Sequence, residues 1–413
     1  METIMKSLKE LYCIGRGPSS SHTMGPVKAA KLFASENADA DRFEVTLYGS
    51  LALTGKGHQT DRAIKETFEP ISCNIIFDEE NESMPHPNTM DMKAYKKDNE
   101  IAFMRVYSVG GGAIKVEGRP DIDTPDIYPE NTFKEIAAFC IEHNMRISEY
   151  CFLREGEEIK AHLTTVWQTM KHCIAAGLAA SGELPGGLHV ERKAQYLFNQ
   201  RHIDESEATR ENRLVCAYAY AASEQNADAG IVVTAPTCGA CGVVPAALYY
   251  TQIKKGFSDE DIIRALAVGG IIGNLIKTNA TISGAASGCQ AEIGSACSMA
   301  AAALAELYEM GIGQIEYAAE VAMEHHLGLT CDPIHGLVQI PCIERNAVAA
   351  MRAINALSLA NFLSGSRKIS FDMVVETMHE TGRDLAYQYR ETSEGGLAKL
   401  YQKKKMSIKR QMP

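Results

Sequence analysis

Three cysteines stand among small and polar residues rather than in an apolar stripe: Cys289 in SGCQAEIG, Cys331 in GLTCDPIHG and Cys342 in IPCIERN. Cys331 precedes Asp332 and Pro333, and Cys342 follows Pro341, positions that suit element ends where backbone bends round an inorganic group. A structural zinc site would usually bring a C-x2-4-C pair, and none of the three provides one. Thiolates 42 and then 11 residues apart suit a cubane iron-sulfur cluster assembled by the tertiary fold, with one iron left without a cysteine. An iron so exposed is a Lewis acid. The plain alternative is that these are buried thiols acting as small hydrophobes.

Two further stretches carry groups that bind anions or move protons. After Gly17-Pro18 come Ser19, Ser20, Ser21, His22 and Thr23, and Gly25-Pro26 then opens a helical pattern. Hydroxyls before a helix start, with Pro near its first turn, make an anion site that suits a substrate carboxylate; ordinary capping by one Ser or Thr is the simpler reading. The second stretch runs from Gly49 through Gly55-Lys56-Gly57-His58. No Ser or Thr follows Lys56, so this is not a P-loop, and G-x-G-x-x-G is absent. An imidazole titrates near working pH, which makes His58 the first candidate for a general base. His22 is the second and Lys56 the third; the alternative for His58 is a hydrogen bond within its own loop. His325, His326 and His335 lie nearer to Cys331 in sequence, but histidines beside helix-end carbonyls are ordinary.

GCQAEIGSACSMAAAAL, HHLGLTCDPIHGLVQIPCIERN and MHETGRDLAYQYRETSEGGLA together resemble the catalytic domain of iron-sulfur-dependent L-serine dehydratases, the L-serine ammonia-lyases. GPSSSHTMGP and YGSLALTGKGHQTDRA are similar to that family's other domain, so the resemblance runs from about Gly15 to Ala398. It implies a 4Fe-4S cluster on Cys289, Cys331 and Cys342, L-serine as substrate, pyruvate and ammonia as products, and a homodimer. It also implies that the first domain is similar to the allosteric substrate-binding domain of phosphoglycerate dehydrogenases. Ser19, Ser20, Ser21, His22, Thr237 and Asn279 are the candidate substrate contacts. The segment TAPTCGACG departs from the family's frequent TNGAAG, which makes Cys238 and Cys241 a C-x2-C pair, and His335 stands where a small residue is common. Two other readings stay open: a cluster-bearing amino-acid sensor, and a hydro-lyase acting on threonine or a hydroxy acid.

Composition sets the frame. At 413 residues the chain suggests two domains, and a net charge of -11 argues against a nucleic-acid surface, which needs a basic face. Twelve cysteines behind an N-terminus without the apolar core of a secretory leader fit a reducing cytoplasm. The longest uncharged run, Ala229 to Ile253, is broken by Pro236, Gly239, Gly242 and Pro245 and reads as a buried loop and helix, with no membrane span.

The elements that must position these residues fall into two groups. Phe43 to Leu47 alternates as a half-buried strand, with further strand-like runs at Asn74 to Phe77, Ile101 to Tyr107 and Ile114 to Glu117. Thr132 and Glu135 form a capping box for a helix to Asn144. After the polar stretch at Glu155-Gly156-Glu157-Glu158 nearly everything reads as helix: a face of Ile159, Leu163, Val166, Met170, Ile174 and Leu178, a helix from Ser258 that is apolar all round, and helices ending at Gly311 and Gly328. The expected fold is an α+β N-terminal domain over residues 1–155, for substrate or regulation, followed by an all-α catalytic domain over residues 156–413.

Overall fold

The computed structural model describes residues 5–81, 84–120, 126–201 and 205–411. Residues 1–4, the first part of the leader reading, lie outside them.

Near the start, β1 (Ile14–Arg16) leads through a five-residue turn, Ser20–Met24, into α1 (Gly25–Glu36). Then follow β2 (Arg42–Tyr48), α2 (Ser50–Thr54), α3 (Thr60–Phe68), β3 (Ser72–Asp78), β4 (Thr89–Lys96), β5 (Asn99–Gly110) and β6 (Ala113–Val116). The last five strands make one sheet in the order β3-β2-β4-β5-β6. Only β2 and β3 run parallel, with Val45 opposite Ile75, because the α2-α3 connection between them is long enough for a crossover. On β2 the alternation points Phe43, Val45 and Leu47 into a core shared with Phe33 of α1 and Ile64 and Phe68 of α3.

The helical part comprises α4 (Phe133–Glu142), α5 (Ile147–Glu155), α6 (Glu158–Ala179), α7 (Ala194–Asn199) and α8 (Glu207–Ala227), then the short β7 (Ile231–Val233). It continues with α9 (Val243–Lys255), α10 (Asp259–Asn279), α11 (Gly284–Ser287), α12 (Ser295–Leu307), α13 (Ile312–Glu324), α14 (Cys342–Leu363), α15 (Phe371–Asp384) and α16 (Gly396–Gln411). The capping boxes read from sequence are present at Thr132/Glu135 on α4 and at Ser258/Asp261 on α10. Every residue of α12 is buried, and its run of alanines lets α9, α10, α13 and α14 pack close around it. Among the described residues no helix is long and apolar enough to cross a membrane.

The two hydrophobic cores do not divide the chain at residue 155. The smaller draws on Ala29 to Val116, whereas Met5, Leu8, Leu11 and Tyr12, together with Tyr128 and the inner faces of α4 and α5, belong to the larger helical core. Tyr12 donates to the Leu266 carbonyl at 3.0 Å, and the Asn274 amide donates to the Lys6 carbonyl at 2.6 Å. β1 then pairs antiparallel with β7, Ile14 opposite Val233 and Arg16 opposite Ile231. The start of the chain is thus stitched to the helical part before it enters the sheet domain, and the serine-rich turn lies where the two meet.

Candidate functional site

Three cysteine-bearing segments converge. Cys289 sits in the loop after α11 and leads into the turn Gln290–Gly294, Cys331 lies in an extended loop, and Cys342 opens α14. Gln290 holds the first two together: its backbone N-H donates to the Leu329 carbonyl at 3.1 Å and its side-chain oxygen accepts from Gly328 N-H at 2.9 Å. Along Cys331 runs the C-terminal segment, with Cys331 N-H donating to the Tyr389 carbonyl and Glu391 N-H donating to the Cys331 carbonyl, both at 2.8 Å. That pairing delivers Glu391 into the site. Asp332 faces the other way and accepts from Leu397 N-H at 2.6 Å at the start of α16.

A water-sized void of ≈ 10 Å³ remains where these segments meet, lined by Cys289, Cys331, Cys342, Glu292, Glu391 and His58, with Pro18, Ser19, Gly239, Ile293, Pro333 and Val338 completing its wall. A sulfur of Cys289, a sulfur of Cys331 and a carboxylate oxygen of Glu292 lie within 4.8 Å of one another. The Cys289 thiol is held below its ordinary value, chiefly by a hydrogen bond with Cys331 and further by Arg345, while burial pushes Cys342 well up. Glu292 is pushed up to about 7 by burial, with Thr237 and Arg345 acting against that. Burial, with Glu292 and Cys289 nearby, drives Glu391 well above the carboxylate range.

The sheet domain contributes His58 to the lining of the void, with His22 beside it. The loop Gly55 to His58 can lie against the Cys331 loop because Gly57 has no side chain: a Cβ there would stand 2.6 Å from the carbonyl carbon of Gly336. His58 is fully buried, and its Nδ1 lies 3.0 Å from the Thr54 carbonyl. A carbonyl only accepts, so Nδ1 carries the proton and Nε2 is left as a bare lone pair. That Nε2 has no hydrogen-bond partner, nor has Glu391 Oε2; the Glu391 Oε1 to His58 Nε2 distance of 3.7 Å is too long for one. Burial lowers His58 to about 4, so the ring is neutral.

His22 has the opposite proton arrangement. Ser50 Oγ donates to the Glu391 carbonyl at 2.9 Å, so it must accept from His22 Nε2-H, also at 2.9 Å. His22 Nδ1 then accepts from Ser21 Oγ at 2.9 Å. With both nitrogens occupied, His22 orients its neighbours; it lies 4.4 Å from His58, ring centre to ring centre. The serine-rich turn is held by Thr60 Oγ1, which donates to the His22 carbonyl at 2.6 Å, and by Thr23 Oγ1, which donates to the His58 carbonyl at 2.9 Å. Ser19 caps the turn by accepting from His22 N-H at 3.1 Å and lines the void; Ser20 is buried just behind it.

Not every sequence candidate arrives here. Lys56 is exposed, its ammonium 5.1 Å above the Phe77 ring, and Asn279 is exposed at the end of α10, bonded to the Asn131 carbonyl at 2.7 Å. Lys56 follows the helix α2 and points out, whereas His58, two residues on, is buried and lines the void. Thr237 is buried next to Glu292 with its hydroxyl unpartnered in hydrogen-bond geometry. Cys238 and Cys241 miss the void: Cys238 packs on the Met24 sulfur at 3.3 Å and Cys241 faces the Ala222 carbonyl at 3.8 Å. His335 is exposed with its ring edge-on to Tyr401, and His325 and His326 bond the helix carbonyls of Val321 and Ala322. Glu292, Glu391 and Arg345 were not foreseen. The only sequence signal available was that Glu292, Arg345 and Glu391 lie within the three catalytic-domain motifs.

Comparison with known proteins gives the family. The family model described as serine dehydratase alpha chain matches residues 60–398, and that of serine dehydratase beta chain matches residues 7–73. The chain is similar to the L-serine dehydratase of Haemophilus influenzae, at 40% identity over 95% of this chain and 99% of that one. It is also similar to L-serine dehydratase 1 of Escherichia coli K12, at 41% over 95% and 99%, and to the L-serine dehydratase of Streptomyces coelicolor, at 39% over 95% and 98%. The beta-chain match precedes the alpha-chain match along a single polypeptide, the two overlapping at residues 60–73 just after the glycine turn, and on that ground the chain belongs to the serine dehydratase family.

Proposed function

We propose that the chain dehydrates L-serine to pyruvate and ammonia, using His58 as the base at a site where Cys289, Cys331 and Cys342 hold a 4Fe-4S cluster. The observation that carries the proposal is the bare Nε2 of His58 facing the same buried void as the three cysteines. The donor set fits such a cluster: three convergent thiols, no fourth cysteine lining the void among the described residues, and unpartnered polar atoms on its far wall. When bound, a cluster with one iron lacking a cysteine supplies a Lewis acid for the substrate hydroxyl, worth several kcal/mol or about three powers of ten in rate.

The chain's own residues account for the rest. Ser19 and the first amides of the turn beginning at Ser20 offer donors for the substrate carboxylate. His58 Nε2 takes the α-proton while Thr54 keeps the opposite nitrogen protonated, which fixes the ring's orientation and tautomer. Loss of that proton and of hydroxide leaves aminoacrylate, which tautomerises to the imine and hydrolyses to pyruvate and ammonia. Burial of the site excludes water during the elimination. The test is formation of pyruvate from L-serine by the anaerobic protein without added pyridoxal phosphate. Serine binding without turnover would favour a sensor instead.

A further inference from the structure

A single guanidinium ties the Cys342 helix to the Cys331 loop and lies in the field of Cys289. Arg345 lies one turn after Cys342 on α14, so it starts from the third segment. Its Nη1 donates to the Thr330 carbonyl at 2.6 Å and its Nη2 lies 3.5 Å from Asp332 Oδ1, the residues on either side of Cys331. It also faces the Cys289 sulfur and lies in the field of Cys342 and Cys331. Its side chain is 17% exposed, and the void's wall includes two carboxyl groups but no Lys or Arg. A group so placed does two things that no other described residue at the site can do.

We propose that Arg345 is the assembly and charge-compensating residue of the cluster site: it holds the three cysteine segments in register before loading and offsets the negative charge of the loaded cluster. The inference rests on the cluster reading above. Three thiolates around a doubly positive cluster leave one net negative charge in a buried place, and a buried charge without a partner is costly. Glu292 and Glu391 add further negative charge whenever they ionise, and with no Lys or Arg in the lining among the described residues, the guanidinium of Arg345 beside it is the group that compensates. The planar fork matters as well as the charge, because it reaches the Thr330 carbonyl and the Asp332 carboxylate at once, which a lysine ammonium on its flexible stem does not.

The test compares the wild-type chain, Arg345→Lys and Arg345→Gln, each stripped and then reconstituted anaerobically with ferrous iron and sulfide. Iron and sulfide content, the rate at which the brown chromophore forms, and the reduction potential are measured, with circular dichroism and thermal melting to confirm folding. Arg345→Gln is expected to load several-fold more slowly and to have a more negative potential, since removing a nearby positive charge favours the oxidised cluster. Arg345→Lys is expected to keep close to the wild-type potential yet still load slowly, because charge alone does not tie the segments. Wild-type loading rate and potential in a folded Arg345→Gln protein would overturn the inference while leaving the cluster in place. Failure of the wild-type chain itself to take up iron and sulfide would instead remove the reading beneath it.

Discussion

His58 and Thr54 stand one helical turn apart, and the 3.0 Å contact from His58 Nδ1 to the Thr54 carbonyl leaves Nε2, among the described residues, as the only unpartnered imidazole nitrogen facing the cysteines. The neighbouring His22 is spent on Ser21 and Ser50. Two buried histidines 4.4 Å apart therefore have different work: one is free to accept a proton, and the other keeps the serine turn and the Glu391 backbone in place.

His58→Ala should lower turnover by about two to four powers of ten, the usual worth of a positioned base, while iron content stays at the wild-type level. Serine should still perturb the cluster spectrum in this variant. Near-normal rates would transfer the base role to another group; Lys56, being exposed, would not be the first choice.

The pH profile follows from the same burial. Because burial lowers His58 to about 4, its base form is already complete above pH 5, so His58 should add no break to kcat/KM between pH 5.5 and 7.5, a range in which Glu292, at about 7, is the lining group that titrates. An exposed imidazole would instead give a tenfold loss per unit below about 6.5. A break near 6.5 that disappears in His58→Gln would show the burial argument to be mistaken.

Gly57→Ala tests the approach of the two loops. The added Cβ meets backbone of Gly336 at 2.6 Å, and backbone does not yield as a side chain tip would. The glycine turn must shift, and a displacement of about 1 Å at the base costs on the order of a hundredfold in rate. The expected result is a folded, cluster-loaded protein with kcat reduced far more than KM. Unchanged kcat would mean that the Cys331 loop accommodates the methyl group.

Changing Cys289, Cys331 or Cys342 to Ala should each abolish the brown chromophore and the activity together. The double change of Cys238 and Cys241 to Ser should keep anaerobic iron content, because these thiols face Met24 and the Ala222 carbonyl rather than the void. Loss of iron in the double variant would make the C-x2-C pair a ligand after all.

Much of this was legible from local chemistry. The capping boxes at Thr132 and Ser258, the alternation along β2 and the apolar sweep of α10 depend on neighbours within a few residues, which the sequence displays directly. The three cysteines stood out because they lie outside any apolar stripe, but it was the family resemblance of their segments, not their spacing, that joined them as a set. β4 was not: its outward Asp91 is matched by Arg105 on β5, so both faces are covered and the strand does not announce itself by a solvent side. Glu391 was invisible for a different reason. It reads as one of many acidic residues near a polar C-terminal loop, and only the pairing of its segment with Cys331, 60 positions earlier, buries it between two histidines. Asn279 shows the converse error, since a residue that looks polar and available at a helix end is used to bind the Asn131 carbonyl.

The most direct test of the account is a single anaerobic preparation assayed for iron, sulfide and pyruvate. The prediction is a brown protein with about four irons and four sulfides per chain that forms pyruvate and ammonia from L-serine without pyridoxal phosphate. It should lose activity in air and regain it with ferrous iron and reductant. A sample replete in cluster that binds L-serine and forms no pyruvate would contradict the account.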